Sequence, residues 1–196
     1  MKLSFWERLV VNSPLRAFSL HLLEPWAFGQ ILAFPQGKRA LDIGCGNGQG
    51  LAMLAARAKP AKLLGIDLDP AQVARAQARM VALGIPATVR QGRAEELLLA
   101  DGCVDIITSL GCIHHVPNWR GAVAESARVL APHGVMYLLE FYRPLLLAIH
   151  WLAPHPPARF GHTELLEEIT KHKLQVLGQW QCLGLFGVVV AQKSAT

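Results

Sequence analysis

The sequence predicts an α/β fold in which a doubly wound, mostly parallel sheet carries helices on both faces. From residue 39 onward, short apolar runs alternate with amphipathic stretches, as expected for consecutive βαβ units. Residues 104–109 read as a central parallel strand that is buried on both faces. The apolar run at 40–43 leads directly into Gly44, Gly46 and Gly48, which allow a tight turn between a strand and the helix behind it.

Each element follows from its own local signal. We expect strands at 40–43, 62–66, 87–90, 104–109, 135–141, 174–182 and 186–192. The last two are separated by a short turn containing glycine and form an antiparallel hairpin. Helices are expected at 50–58, 70–84, 118–130 and 164–171, with Asp69 and Thr163 as N-caps.

The length of 196 residues suits one domain spanning 1–196. We expect a helical N-terminal cap at 1–37, a ligand-binding core at 38–142, a proline-rich lid at 143–162, and a helix and hairpin at 163–196. The lid is inferred from Pro144, Pro154, Pro156 and Pro157, which interrupt any regular element.

Composition excludes several classes of protein. Charged residues make up 17% of the chain, the net charge is +5, and Lys and Arg are scattered rather than clustered, which argues against nucleic acid as a partner. No apolar run reaches the roughly 18 residues of a membrane span, and the first residues lack the pattern of a signal peptide. We therefore expect a cytoplasmic protein.

The glycine turn is the strongest indication of a ligand. Its pattern is G-x-G-x-G, and Gln49 stands where the dinucleotide fingerprint G-x-G-x-x-G has its third glycine, which argues against NAD. Asp67, at the end of the second strand, can accept hydrogen bonds from both hydroxyls of a ribose. Asp42, beside the loop, suits a ligand that carries positive charge.

Several segments carry a family resemblance. Residues 41–48 resemble motif I of the class I S-adenosylmethionine-dependent methyltransferases, and residues 65–70 resemble the acidic loop that follows it. Residues 105–118 and 128–134 resemble the type 11-like subfamily, which is related to the ubiquinone and menaquinone biosynthesis methyltransferases. The resemblance implies a Rossmann-like, seven-stranded sheet with S-adenosylmethionine as cofactor.

The resemblance also implies which residues bind that cofactor. In residues 91–97, Arg93 stands where the family usually has an aspartate that contacts the adenine amino group, and Ala94 stands where a backbone contact is made. Arginine cannot accept that hydrogen bond, so we expect it to stack on the adenine instead. The expected cofactor-binding residues are Asp42, Gly44, Cys45, Gly46, Asn47, Gly48, Asp67, Leu68, Arg93, Ala94 and Leu110.

By their place in the motif, His114 and His115 are expected at the mouth of the cofactor cleft. Adjacent residues on a strand point to opposite sides, so we expect one of them, His115, to face the acceptor and act as a general base. A metal site built with Cys112 is disfavoured, because the spacing matches neither a helical H-x-x-x-H pair nor a cysteine knuckle. The expected acceptor-lining residues are His114, Tyr142, His155 and Phe160.

The predicted function is methyl transfer to a small hydrophobic acceptor. The apolar composition, the aromatic residues near the N-terminus and the apolar stretch 145–153 favour such an acceptor. Two alternatives stay open: a nicotinamide-dependent oxidoreductase on a similar sheet, and a protein that binds S-adenosylmethionine without turnover. A peripheral membrane contact and the oligomeric state are also left open.

Overall fold

The computed structural model describes residues 23–145 and 159–195. Their strands form one seven-stranded sheet in the order β3-β2-β1-β4-β5-β7-β6. Among these strands β7 alone runs against the others, because it pairs antiparallel with both β5 and β6. The strands are β1 (Arg39–Ile43), β2 (Lys62–Asp67), β3 (Thr88–Gln91), β4 (Val104–Leu110), β5 (Leu130–Phe141), β6 (Leu174–Cys182) and β7 (Phe186–Lys193).

Helices cover both faces of this sheet, which confirms the predicted doubly wound architecture. One apolar cluster joins one side of the strands to α1, α2 and α3, and a second joins the opposite side to α4 and α5. Alternate strand residues face the two clusters, so Ala40 belongs to the first and Leu41 to the second. The helices are α1 (Glu24–Gly29), α2 (Gln49–Ala58), α3 (Pro70–Ala82), α4 (Trp119–Val129) and α5 (His162–Lys171).

The helix starts confirm one predicted N-cap and correct the other. The Asp69 carboxylate accepts a hydrogen bond from the backbone N–H of Ala71 at 2.9 Å, as predicted for α3. The prediction of Thr163 as N-cap is wrong, since α5 begins at His162 with Gly161 as its N-cap. Glu164 provides the capping interaction instead, because its carboxylate accepts from the Gly161 backbone N–H at 2.6 Å.

The fifth strand begins earlier than the predicted residue 135. It starts at Leu130, and its pairing with β4 shifts register between the pairs Val104–Leu130 and Ile106–Val135. His133 lies inside this irregular stretch with φ of 61°, a left-handed conformation typical of a turn or bulge. Residues 130–134 therefore form an irregular, bulged start of the strand.

The parts of the chain flanking the core are described only partly. Of the predicted N-terminal cap the structure describes residues 23–37, which include α1; of the predicted lid it describes residues 143–145 and 159–162. Residues on either side of the undescribed stretch lie close together, since Arg143 N donates to Phe160 O at 3.2 Å and the Arg143 guanidinium pairs with Glu164 at 3.0 Å. None of the described helices is long and apolar enough to cross a membrane.

Candidate active site

The glycine loop joins the carboxyl end of β1 to α2. Gly44, Gly46 and Gly48 have φ of 70°, 52° and 83°, a region that other residues rarely adopt. The loop is fixed to the neighbouring strand, because Gly44 N and Cys45 N donate to Ile66 O at 2.8 and 3.0 Å. The loop backbone can therefore be approached by a ligand without a side chain in the way.

Asp67 lies beside this loop at the end of β2. One carboxylate oxygen accepts from Gly46 N and the other from Asp69 N, both at 2.8 Å. Burial raises the pKa of Asp67, although these backbone donors oppose the shift. Since each carboxylate oxygen has a second lone pair, Asp67 can still accept from the two hydroxyls of a ribose, so these residues fit the predicted cofactor.

Asp42, near the end of β1, is buried beside the start of α2. Its side chain is 2% exposed and accepts from Thr108 Oγ1 at 2.6 Å. Its second oxygen occupies the space that a β-carbon on Gly50 would need, so the carboxylate lies against the first turn of α2. The structure thus places Asp42 beneath the loop as support for the helix start, and its predicted ligand contact stays a prediction.

The residues that follow β4 pack against the glycine loop. The Cys112 side chain occupies the space that a β-carbon on Gly44 would need. Burial raises the pKa of the Cys112 thiol well above its usual value, and nearby carboxylates add to the shift. Leu110, predicted to line the cleft, is half-buried at the end of β4. The Cys112 thiol is therefore a protonated packing group.

The loop after β3 closes the cleft on the side away from β4. Gly92 N donates to Asp67 O at 3.0 Å, which fixes the loop beside the acid at the end of β2. Arg93 is 58% exposed and forms an ion pair with Glu95, whose side chain is 15% exposed. Ala94 is buried, and Leu68 is 38% exposed.

The two histidines lie on a short 3-10 helix, Ile113–His115, so the premise that they lie on a strand is wrong. Their rings pack against each other, with centroids 4.1 Å apart and planes tilted by 38°, instead of pointing to opposite sides. His114 is 2% exposed, and its Nδ1 lies 2.7 Å from Glu140 Oε2. His115 is half-buried, which makes it the more accessible of the two.

Glu140 holds this short helix in place from strand β5. It is fully buried, and its Oε1 accepts from Ile113 N at 2.9 Å while its Oε2 accepts from His114 N at 3.3 Å. Burial raises the pKa of Glu140 to about 8, against the opposing effect of these backbone donors. The buried carboxyl therefore binds the 3-10 helix through both its backbone and a histidine ring.

An aromatic row extends from the histidines to the surface; we use this name for Phe141, Phe186 and Trp180. The Phe141 ring meets the His114 ring edge to face at 5.6 Å between centroids. Phe186 follows at 6.3 Å from Phe141, and Trp180 at 5.8 Å from Phe186. Trp180 is 54% exposed, so the row reaches from the histidines to the surface.

The predicted acceptor-lining residues are not brought together at the predicted mouth of the cleft. Tyr142 and Phe160 are fully buried in the core that includes α4 and α5. The Tyr142 hydroxyl lies 2.7 Å from His162 Nδ1, and Phe160 packs on Trp119 at 4.6 Å between centroids. His155 lies outside the described residues.

Sequence reasoning missed Glu140 and Phe186. An acid inside the apolar run 135–141 was a detectable signal for Glu140, because a charged group in such a run needs buried partners. Phe186 gave no such signal, since aromatic residues are common in hairpin strands. Within residues 23–145 and 159–195, no cluster of three or more His, Cys, Asp or Glu side chains could hold a metal ion.

Comparison with known proteins defines the family. Residues 41–138 match the model of a methyltransferase domain. The 27-O-demethylrifamycin SV methyltransferase of Amycolatopsis mediterranei is 31% identical over 149 residues, which are 75% of this chain and 51% of that protein. The demethylmenaquinone methyltransferase of Thermus thermophilus is 34% identical over 107 residues, 55% of this chain and 49% of that protein.

A solved structure supports the fold. The S-adenosylmethionine-dependent methyltransferase from Aquifex aeolicus matches with a TM-score of 0.77 at 19% identity, covering 97% of this chain and 99% of that one. The chain spans about half the length of the two curated relatives. It belongs to the class I S-adenosylmethionine-dependent methyltransferases, whose cofactor the glycine loop and Asp67 fit. The predicted family, fold and cofactor are confirmed, and the nicotinamide alternative is set aside.

Proposed function

We propose that this chain transfers the methyl group of S-adenosylmethionine to a small apolar acceptor. The observation that carries the proposal is the aromatic row, whose Phe141 contacts the His114 ring and whose Trp180 is exposed. Aromatic rings on three adjacent strands form a rigid apolar surface for the part of an acceptor that does not react. Two relatives are named for a rifamycin and a menaquinone precursor, which supports a small acceptor.

The cofactor would be held across the carboxyl ends of β1, β2 and β3. Asp67 would accept from its ribose hydroxyls, and the left-handed glycines would let it lie against the loop backbone. When bound, S-adenosylmethionine supplies a methyl group on a positively charged sulfur. The residues then need only to hold the acceptor in line with that methyl group and keep water away.

His115 would take the proton that an oxygen or an acidic carbon of the acceptor loses. Its ring packs at a tilt against that of His114, whose Nδ1 lies 2.7 Å from Glu140 Oε2. Because His114 is buried and paired, it would orient His115 rather than contact the acceptor. The proposal therefore assigns His115 as the base and the pair His114–Glu140 as its support.

The test uses the purified chain and S-adenosylmethionine carrying a labelled methyl group. We expect label to enter apolar hydroxylated aromatics, such as alkylated hydroquinones and phenols, and not sugars, protein or RNA. The substitution His115→Asn should lower kcat by about a hundredfold, the effect of losing a general base. The exposed His133 provides the matched control, and His133→Asn should leave kcat unchanged.

Three results would contradict the proposal. Label found only in a macromolecule or a polar acceptor would refute the apolar acceptor. Tight S-adenosylhomocysteine binding with no labelled product from any pool would instead favour a protein that binds the cofactor without turnover. If His115→Asn leaves kcat unchanged, His115 is not the general base.

A further inference from the structure

The base of the cofactor must lie near the loop that follows β3. Asp67, at the end of β2, is placed to bind the ribose, and the glycine loop at the end of β1 faces one side of it. The next strand on the other side is β3, and Gly92 N fixes its loop to Asp67 O at 3.0 Å. A group attached to the ribose on that side meets residues 92–97.

The edge of adenine that faces a protein carries an amino group, which is a hydrogen-bond donor, beside a ring nitrogen, which is an acceptor. A matching site needs one acceptor and one donor. The backbone N–H of Ala94 is a group of the kind that can serve as the donor. Arg93 cannot be the acceptor, because a guanidinium has donors only.

Glu95 is the carboxylate best placed to supply the missing acceptor. One of its oxygens pairs with the Arg93 guanidinium, and the other remains able to accept. Its side chain is 15% exposed, whereas Arg93 is 58% exposed, so the acid lies on the inner side of the pair. The next acid nearby, Glu125, is already bound by Arg128 and by Leu97 N.

Glu95 also lies near enough to Cys112 for its charge to act on that thiol. Its negative charge contributes to the raised pKa of the Cys112 thiol, which packs against Gly44. Asp67 and Glu140, which lie around the same cleft, contribute in the same way.

We propose that Glu95 accepts the hydrogen bond of the adenine amino group and that Arg93 holds Glu95 in position for it. Arg93 is then a positioning residue, and Glu95, two residues further along the loop, is the acid that hydrogen-bonds the adenine. The inference rests on the cofactor assignment within the proposed function, and it does not depend on which acceptor is methylated. It replaces the expectation that Arg93 stacks on adenine.

Calorimetric binding of two product analogues to the purified chain tests this inference. S-adenosylhomocysteine carries the amino group, and S-inosylhomocysteine carries a carbonyl oxygen there. We expect the wild type to prefer the adenosyl compound by at least about tenfold, as for other hydrogen bonds to a charged group. The substitution Glu95→Gln should reduce that preference several-fold, because the side-chain amide can donate to the carbonyl or accept from the amine. A residual preference should remain, because the adjacent ring nitrogen of the inosyl base carries a hydrogen and cannot accept from the Ala94 backbone N–H.

Arg93→Ala should weaken binding of the adenosyl compound several-fold, because Glu95 loses its partner, while some preference for the amine remains. Glu96→Gln, a substitution of the exposed neighbour, is the matched control and should change neither affinity. An unchanged preference in Glu95→Gln would overturn the proposal, as would wild-type affinity for the adenosyl compound in Arg93→Ala. Because no methyl acceptor is present, these outcomes are independent of the test of the acceptor.

Discussion

Three carboxylates at the carboxyl edge of the sheet differ in what surrounds them. Asp67 is half-buried with both oxygens on backbone donors, which suits a ligand contact. Asp42 is buried against α2 and Thr108, and Glu140 is buried against the 3-10 helix. The sequence predicted a ligand contact for both Asp42 and Asp67 and gave no role to Glu140. Only packing separates an acid suited to a ligand from one that supports a neighbouring element.

The raised pKa of Glu140 predicts how stability depends on pH. A carboxyl whose pKa rises from 4.5 to about 8 on folding binds its proton more tightly in the folded chain. Its contribution to stability is therefore fully present below pH 4.5 and is lost as the pH rises toward 8. Glu140→Gln, which mimics the protonated acid, should flatten this decline, as measured by urea unfolding at several pH values between about 5 and 8.

The control for this prediction is Glu167→Gln, because Glu167 is exposed on α5. That variant should show the same decline as the wild type. If Glu140→Gln and the wild type lose stability in parallel over the range, Glu140 does not hold its proton in the folded chain. The proposed support of the histidines would then need an ionised carboxylate.

At the scale of elements, the junction between the glycine loop and α2 is the most constrained. Gly50 lies in the first turn of α2, where its missing β-carbon leaves room for the Asp42 carboxylate. That carboxylate is buried and bonded to Thr108, so it cannot move aside. A glycine in a helix usually costs stability, but this one is required by its neighbour.

We therefore predict opposite effects of alanine at two helical glycines. Gly50→Ala should destabilise the chain by about 1–3 kcal/mol, the usual cost of overpacking a core. Gly29→Ala, at the end of α1, should be neutral or slightly stabilising, because nothing lies within 4 Å of an added β-carbon there. Urea unfolding measures both free energies. Equal effects at the two sites would show that the Asp42 side chain moves to make room for the added β-carbon.

The elements could be predicted from the sequence where their signals are local. Apolar runs and glycines predicted all seven strands, and Asp69 with Pro70 predicted the start of α3. The 3-10 helix Ile113–His115 was missed, because its shape depends on Glu140, which is distant in sequence. The acceptor side of the site could not be predicted either, because the aromatic row forms only when β5, β7 and β6 are adjacent.

At the scale of the whole molecule, the cofactor should stabilise the fold through the carboxyl edge of the sheet. Residues from β1, β2, β3 and β4 surround the cleft, so a ligand there connects four strands. S-adenosylhomocysteine at a hundred times its Kd should raise the free energy of unfolding by about 2.7 kcal/mol. NADH should have no effect, since the loop lacks the dinucleotide spacing.

Asp67→Asn provides the decisive variant for this stabilisation. The amide keeps one acceptor oxygen but loses the charge and the second, so it cannot satisfy Gly46 N, Asp69 N and two ribose hydroxyls together. We expect its Kd for S-adenosylhomocysteine to rise at least about tenfold, which removes roughly 1.4 kcal/mol of the stabilisation at a fixed ligand concentration. Asp101→Asn changes a carboxylate that is 81% exposed and should keep the full effect. If both variants gain as much stability from the ligand as the wild type does, Asp67 does not bind the ribose.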